Sequence, residues 1–159
     1  MPVLRRLLPV VAAAMMLAAC SSSEPPQVTF AAGTASVVAR PTQYCDESGA
    51  DCTGDPAAPV ALAVPAGTAL QVTVPDVIAQ TPWQVVFSYR DANGAQADER
   101  SPVFAPTERS IWTLELAAPT DRLLTAQVQQ YGPPPQINPD TGEVEFPIRA
   151  SWVLNTSGG

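Results

Sequence analysis

Four carboxylates fall within ten residues, at Asp46, Glu47, Asp51 and Asp55, and the same stretch carries Tyr44 and two of the three cysteines, Cys45 and Cys52. Hard cations such as calcium take about six to eight oxygen ligands, so such a cluster could hold one if backbone carbonyls and water completed it. The spacing matches no EF-hand, and a solvated, self-repelling loop accounts for the same residues; that is the favoured reading, with calcium as the alternative. Paired carboxylates also serve glycosidases, but no sugar cleft is visible around these. Asp140-Thr141-Gly142 copies the aspartic-protease tripeptide. That chemistry needs two such aspartates sharing a proton, and after Asn138-Pro139 the triplet reads as a β-turn. The absence of histidine excludes a Ser-His-Asp triad, a Cys-His pair and a blue-copper ligand set. No catalytic residue and no cofactor is expected.

The third cysteine has a different setting. Arg5 and Arg6 precede an apolar run from Leu7 to Ala19 that is broken only by Pro9 and ends Leu17-Ala18-Ala19-Cys20. The run is shorter than the roughly 20 residues of a membrane-spanning helix, and the ending resembles the bacterial lipobox, in which the cysteine thiol receives a lipid and becomes the mature N-terminus. Residues 1–19 are therefore expected to be a cleaved lipoprotein signal peptide, Cys20 the lipidation site, and residues 20–26 a polar tether. The expected location is the extracytoplasmic face of the cell membrane. With Cys20 so assigned, Cys45 and Cys52 form an even pair in an exported chain, and a disulfide is the default. Zinc is the poorer alternative, because two thiols without histidine make an incomplete ligand set.

Removing 19 of 159 residues leaves 140, enough for one domain around one core. Two of the eight arginines leave with the leader, so six remain against fifteen acids, a formal charge of −9. That balance argues against nucleic acid as a partner and against a polybasic grip on anionic lipid.

The elements that must position these residues are strands. Trp83, Val85, Phe87 and Tyr89 alternate, so one face of a strand carries three aromatics and a valine, and such a face needs a second layer. Asp91-Ala92-Asn93-Gly94 closes it as a hairpin. A two-residue Asn93-Gly94 turn would set Trp83 opposite Phe104; a type I turn over Asp91–Gly94 with a bulge at Gly94 would set Trp83 opposite Val103 and Phe87 opposite Glu99. The second is favoured, because Asp first and Gly fourth suit a type I turn. Further strands are expected at residues 27–31, 34–40, 60–64, 70–74, 95–104, 111–116 and 124–128. A long last strand should bury Val144, Phe146, Ile148, Ala150, Trp152 and Leu154 on one face. Only the leader shows a helical period. Trp83, Trp112 and Trp152 read as core rather than as a carbohydrate platform.

Many short strands with turn residues between them indicate an all-β fold, an immunoglobulin-like or fibronectin-like antiparallel two-sheet sandwich. It should span residues 27–154, carry a stapled loop at 41–59, and end in a flexible tail at 155–159. Tyr44, outside any clear strand, either covers the disulfide or presents a contact.

Pro41-Thr42-Gln43-Tyr44-Cys45-Asp46 with Cys52, Thr81-Pro82-Trp83 through Tyr89-Arg90-Asp91, and Arg100-Ser101-Pro102-Val103-Phe104 together resemble a family of short exported actinobacterial lipoproteins known as a domain of unknown function. The resemblance covers most of the mature chain. It implies an envelope location and the short disulfide loop, and brings no catalytic residues. The expected role is a non-catalytic binding or assembly module with a protein partner in the envelope, its contacts made by Tyr44, Asp46, Glu47 and Asp51. The alternative is a carrier holding a lipid or small hydrophobic ligand between the sheets.

Overall fold

The computed structural model describes residues 24–49, 51–132 and 135–157; the leader, Cys20 and Pro133-Pro134 lie outside them. Two sheets pack face to face. The smaller contains β1 (Val28–Ala32), β2 (Ala35–Ala39), β6 (Leu70–Thr73) and β9 (Ile111–Leu114), in the order β2-β1-β6-β9. The larger contains β3 (Gln43–Cys45), β4 (Cys52–Gly54), β7 (Trp83–Arg90), β8 (Gln96–Arg100), β10 (Arg122–Tyr131) and β13 (Ile148–Thr156), in the order β4-β3-β13-β10-β7-β8. β5 (Val60–Leu62) joins the far half of β13 in parallel, beside the edge that β3 takes in the near half. β11 (Gln136–Ile137) and β12 (Val144–Glu145) form a separate ribbon. The chain is thus the all-β two-sheet sandwich that the alternating pattern predicts.

The alternation in β7 explains why the layers meet. Trp83, Val85 and Phe87 turn inward beside Val128 and Ala126 of β10, which lie next to Trp152 and Leu154 of β13. The smaller sheet closes over them with Phe30, Leu70 and Val72, all buried. Removing a side chain such as Phe30 from water contributes about 1.5–3 kcal/mol. Trp83 also packs against the Phe104 ring at a tilt of 56° with centroids 4.6 Å apart, and its indole nitrogen donates to the Arg109 carbonyl oxygen at 3.2 Å. All three tryptophans belong to this packing, Trp112 being half-buried against it.

The hairpin register combines both sequence readings. Gly94 lies at φ +86°, its N–H donates to the Asp91 carbonyl at 3.0 Å, and Phe87 faces Glu99, as the type I turn requires. Farther along, the return strand gains one residue, so Trp83 faces Phe104 and not Val103. Pro102 accounts for the slip, since it has no N–H for the ladder. The Ser101 hydroxyl accepts from the Val85 N–H at 2.9 Å, so that donor stays satisfied.

Three expectations need correction. A single helical turn, α1 (Asp76–Ala79), buries Ile78 and Ala79; four residues are too few to show a helical period in the sequence. The long last strand is broken at Pro147: Ala150, Trp152 and Leu154 are buried, whereas Val144, Phe146 and Ile148 are exposed. β13 also continues to Thr156, with Asn155 paired to both Thr125 and Ala61, so residues 155–156 belong to the sheet and not to a tail.

The registers define two ends. One gathers the start of β1, the ends of β6 and β10, α1, and the starts of β7 and β13; residues 24–27 lead away from it, and it is called the tether end below. The other carries the turns at Gly33 and Gly94.

On the edge hairpin the Tyr89 hydroxyl donates to the Glu99 carboxylate at 2.8 Å. This bond, with some loss of hydration and nearby acids, raises the Tyr89 pKa above 10.0. Any stabilisation from it is present below pH 10 and is lost as pH rises through the raised value; Tyr89→Phe should remove one step lying above pH 10 from an alkaline phenolate-absorbance titration. Trp83→Ala should lower unfolding free energy by about 3–5 kcal/mol in urea denaturation. A loss below about 1 kcal/mol would contradict its place in the core.

Candidate functional site

The stretch read as one long loop is a hairpin grafted onto the edge of the large sheet. β3 pairs with β13 at Tyr44–Ala150 and Gln43–Ser151, and with β4 at Cys45–Cys52 and Tyr44–Thr53. The disulfide joins Cys45 and Cys52, which are directly opposite, so it locks the hairpin register at its last rung. Thr42 fixes the base: its N–H donates to the Ser151 carbonyl at 2.7 Å, and the two hydroxyls lie 2.9 Å apart.

Beyond the disulfide the chain turns tightly. The Gly49 N–H reaches the Asp46 carbonyl at 3.1 Å with Gly49 at φ +72°, and the Ser48 hydroxyl donates to the Asp46 carboxylate at 2.8 Å. Asp46 is therefore committed to holding its own turn. Asp55 accepts from the Ala57 N–H at 2.9 Å and lies 3.9 Å from Arg40, whereas Glu47 and Asp51 are exposed at the tip. The four carboxylates point to separate tasks, and among the described residues no group of three or more His, Cys, Asp or Glu is arranged to hold a metal ion.

Tyr44 departs from expectation by lying within a strand. Neighbouring strand residues face opposite sides, so its ring turns away from the Cys45 side chain and does not cover the disulfide. It packs half-buried against the core, with the Arg149 guanidinium 5.8 Å from its centroid, and Arg149 Nε donates to the Cys45 carbonyl at 3.3 Å. Two shallow hollows flank the ring. One, of about 250 Å³, is bounded by Arg40, Thr53 and Asp55; the other lies between Pro25, Pro26 and Val77. Arg149 and the tether residues were not legible as site residues, because neither a strand arginine nor a proline pair carries a signal of its own.

Asp140-Thr141-Gly142 forms the turn of the β11–β12 ribbon. Asn138 Oδ1 accepts from the Asp140 and Thr141 N–H groups at 2.9 and 3.3 Å, and Gly142 lies at φ +72°. No second such aspartate stands beside it, since the triplet occurs once. For a carrier, the space between the sheets is filled by Trp83, Trp152, Phe30 and Phe104. The hollows near Leu116 and Asp121, of about 220 Å³, and beside Arg90 and Leu124, of about 800 Å³, are lined by none of these four side chains.

The fold and this site define a β-sandwich with a disulfide-locked edge hairpin. Residues 21–157 match the family model described as Protein of unknown function (DUF2771), and the chain belongs to that family. No curated protein and no solved structure matches it.

Opening the disulfide by reduction should lower stability by about 2–3 kcal/mol, the loop-closure entropy of so short a ring. Amide exchange should then rise across residues 43–54 while β7 and β10 stay protected; equal loosening of both regions would contradict a local staple.

Proposed function

We propose that this protein is a lipid-anchored module of the cell envelope, held to the extracytoplasmic face of the membrane through Cys20 and working by non-catalytic binding or assembly with an envelope protein. The observation that carries this reading is the pairing of Cys45 with Cys52, which leaves Cys20 as the remaining cysteine of the sequence, four positions before the first described residue. A disulfide suits an exported chain, and acyl chains on Cys20 would anchor it stably, each buried CH₂ contributing about 0.8 kcal/mol. The contact surface is the hairpin tip, where Glu47 and Asp51 stand exposed on a backbone fixed by the disulfide and by Thr42. Such a surface loses little conformational freedom on binding.

Two experiments test the parts separately. Cys20→Ala should move the protein from membranes to the soluble fraction, and continued retention would contradict the anchor. Carboxyl-directed crosslinking in intact cells should capture one recurring envelope protein through Glu47 and Asp51, with capture lost in Glu47→Gln/Asp51→Asn; recovery of the protein alone would contradict an assembly role.

A further inference from the structure

Isolated exposed apolar side chains are ordinary on any protein surface, but their segregation to one end is not. Ile137 and Val144 face each other across the β11–β12 ribbon and are 71% and 60% exposed; Phe146 and Ile148 continue the chain into β13. The ribbon springs from the tether end, where the Gly132 N–H donates to the Pro147 carbonyl at 3.0 Å. Val77 on α1 is exposed there too, beside the hollow that Pro25 and Pro26 line. Val38 and Ile111 stand at the two ends of one cross-strand row, Val38-Thr29-Thr73-Ile111, one step from the start of β1. Val103 precedes Phe104, which pairs with the first residue of β7. The described residues expose no other large apolar side chain, so the opposite end has none.

We infer that the tether end is a membrane-docking face, which seats the ribbon and its neighbours in the headgroup layer of a lipid bilayer. The occupant follows from chain length, and the inference rests on the proposed anchor at Cys20. From Cys20 to Glu24 the chain has four Cα steps, which reach about 14 Å at most. β13 alone, with nine residues, is about 30 Å long. An acylated Cys20 therefore holds the tether end within reach of the interface and keeps the turn at Gly94 far from it. Interfacial segments bury apolar side chains about 5–10 Å into the headgroup and acyl boundary. Asp140 and Glu143 on the ribbon, with Glu47, Asp51, Asp76 and Glu108, outnumber Arg40, Arg109 and Arg149 at the same end, so apolar burial drives the contact, anionic lipid is not needed, and salt should not release it.

The test is hydrogen exchange on protein expressed from the full chain, purified from membranes and reconstituted in phosphatidylcholine vesicles, compared with soluble Cys20→Ala protein. Amides of residues 136–148 and around Val77 should exchange about tenfold more slowly on the vesicles, while residues 90–96 stay unchanged. Ile137→Glu/Phe146→Glu should return the ribbon to its soluble rate while the protein still floats with the vesicles. Equal exchange at both ends would overturn the inference. So would protection that appears without lipid and grows with protein concentration, which would assign the face to a second copy. The mass of the N-terminal peptide reports acylation independently. If Cys20 proves unacylated the anchor reading fails, and the same comparison on chains coupled through the Cys20 thiol to a maleimide lipid still decides whether the face docks.

Discussion

The indole nitrogen of Trp152 donates to the Pro26 carbonyl at 2.9 Å, and this bond ties the beginning of the domain to the middle of its largest sheet. Trp152 is fully buried on β13, opposite Val128, so its N–H must find a partner inside the protein or cost about 1–3 kcal/mol unpaired. Pro26 supplies that partner. The chain therefore leaves the core at a fixed place, beside Tyr44 and Val77, and the geometry of the whole tether end follows from it. Residues 24–27 therefore leave the sandwich at a single end.

The large sheet meets two opposite demands on its two faces. Inside, aromatic and aliphatic residues fill the space against the smaller sheet. Outside, Gln84, Ser88 and Ser151 are also buried, and cross-strand hydrogen bonds satisfy them: Gln84 to Gln129 at 3.0 Å and to the Tyr131 hydroxyl, Ser88 with Thr125, and Ser151 with Thr42. Burial raises the Tyr131 pKa, with the hydrogen bond from Gln84 and the charge of Arg100 opposing it. Among the described residues every buried side-chain nitrogen or oxygen has a partner. The long central strands β7, β10 and β13 thus form a stiff platform, and the short elements at its edge, β3–β4 above all, can be varied without loss of the core. The exposed charges of β8 serve the opposite edge, where they discourage pairing with another chain.

The fold was legible where a period was long enough to read. Trp83 through Tyr89 shows four alternating positions, and the turn at Asp91–Gly94 follows from residue types with fixed backbone preferences. Two- and three-residue strands carry no period, so β3, β4 and β11 were hidden, and Tyr44 read as a loop residue. Val144 and Phe146 continue the alternation of Ala150, Trp152 and Leu154, and only the missing donor of Pro147 separates exposed from buried positions. The disulfide was legible from cysteine arithmetic. The role of Asp46 was not, because a carboxylate that holds its own turn and one that waits for a ligand look the same in sequence. The clustering of exposed apolar residues is likewise invisible along the chain, since Val38, Val77, Val103, Ile111 and Ile137 lie far apart until the sheets form.

The most direct measurement is hydrogen exchange across residues 24–30 in Trp152→Phe, a change that keeps a large ring in the core and removes the indole donor. If the core fixes where the chain leaves the sandwich, exchange in this segment rises sharply while the central amides of β7 and β10 remain protected. Unchanged exchange at residues 24–30 would show that the beginning of the domain is held by other means, and the fixed exit of the chain from the sandwich would lose its physical basis.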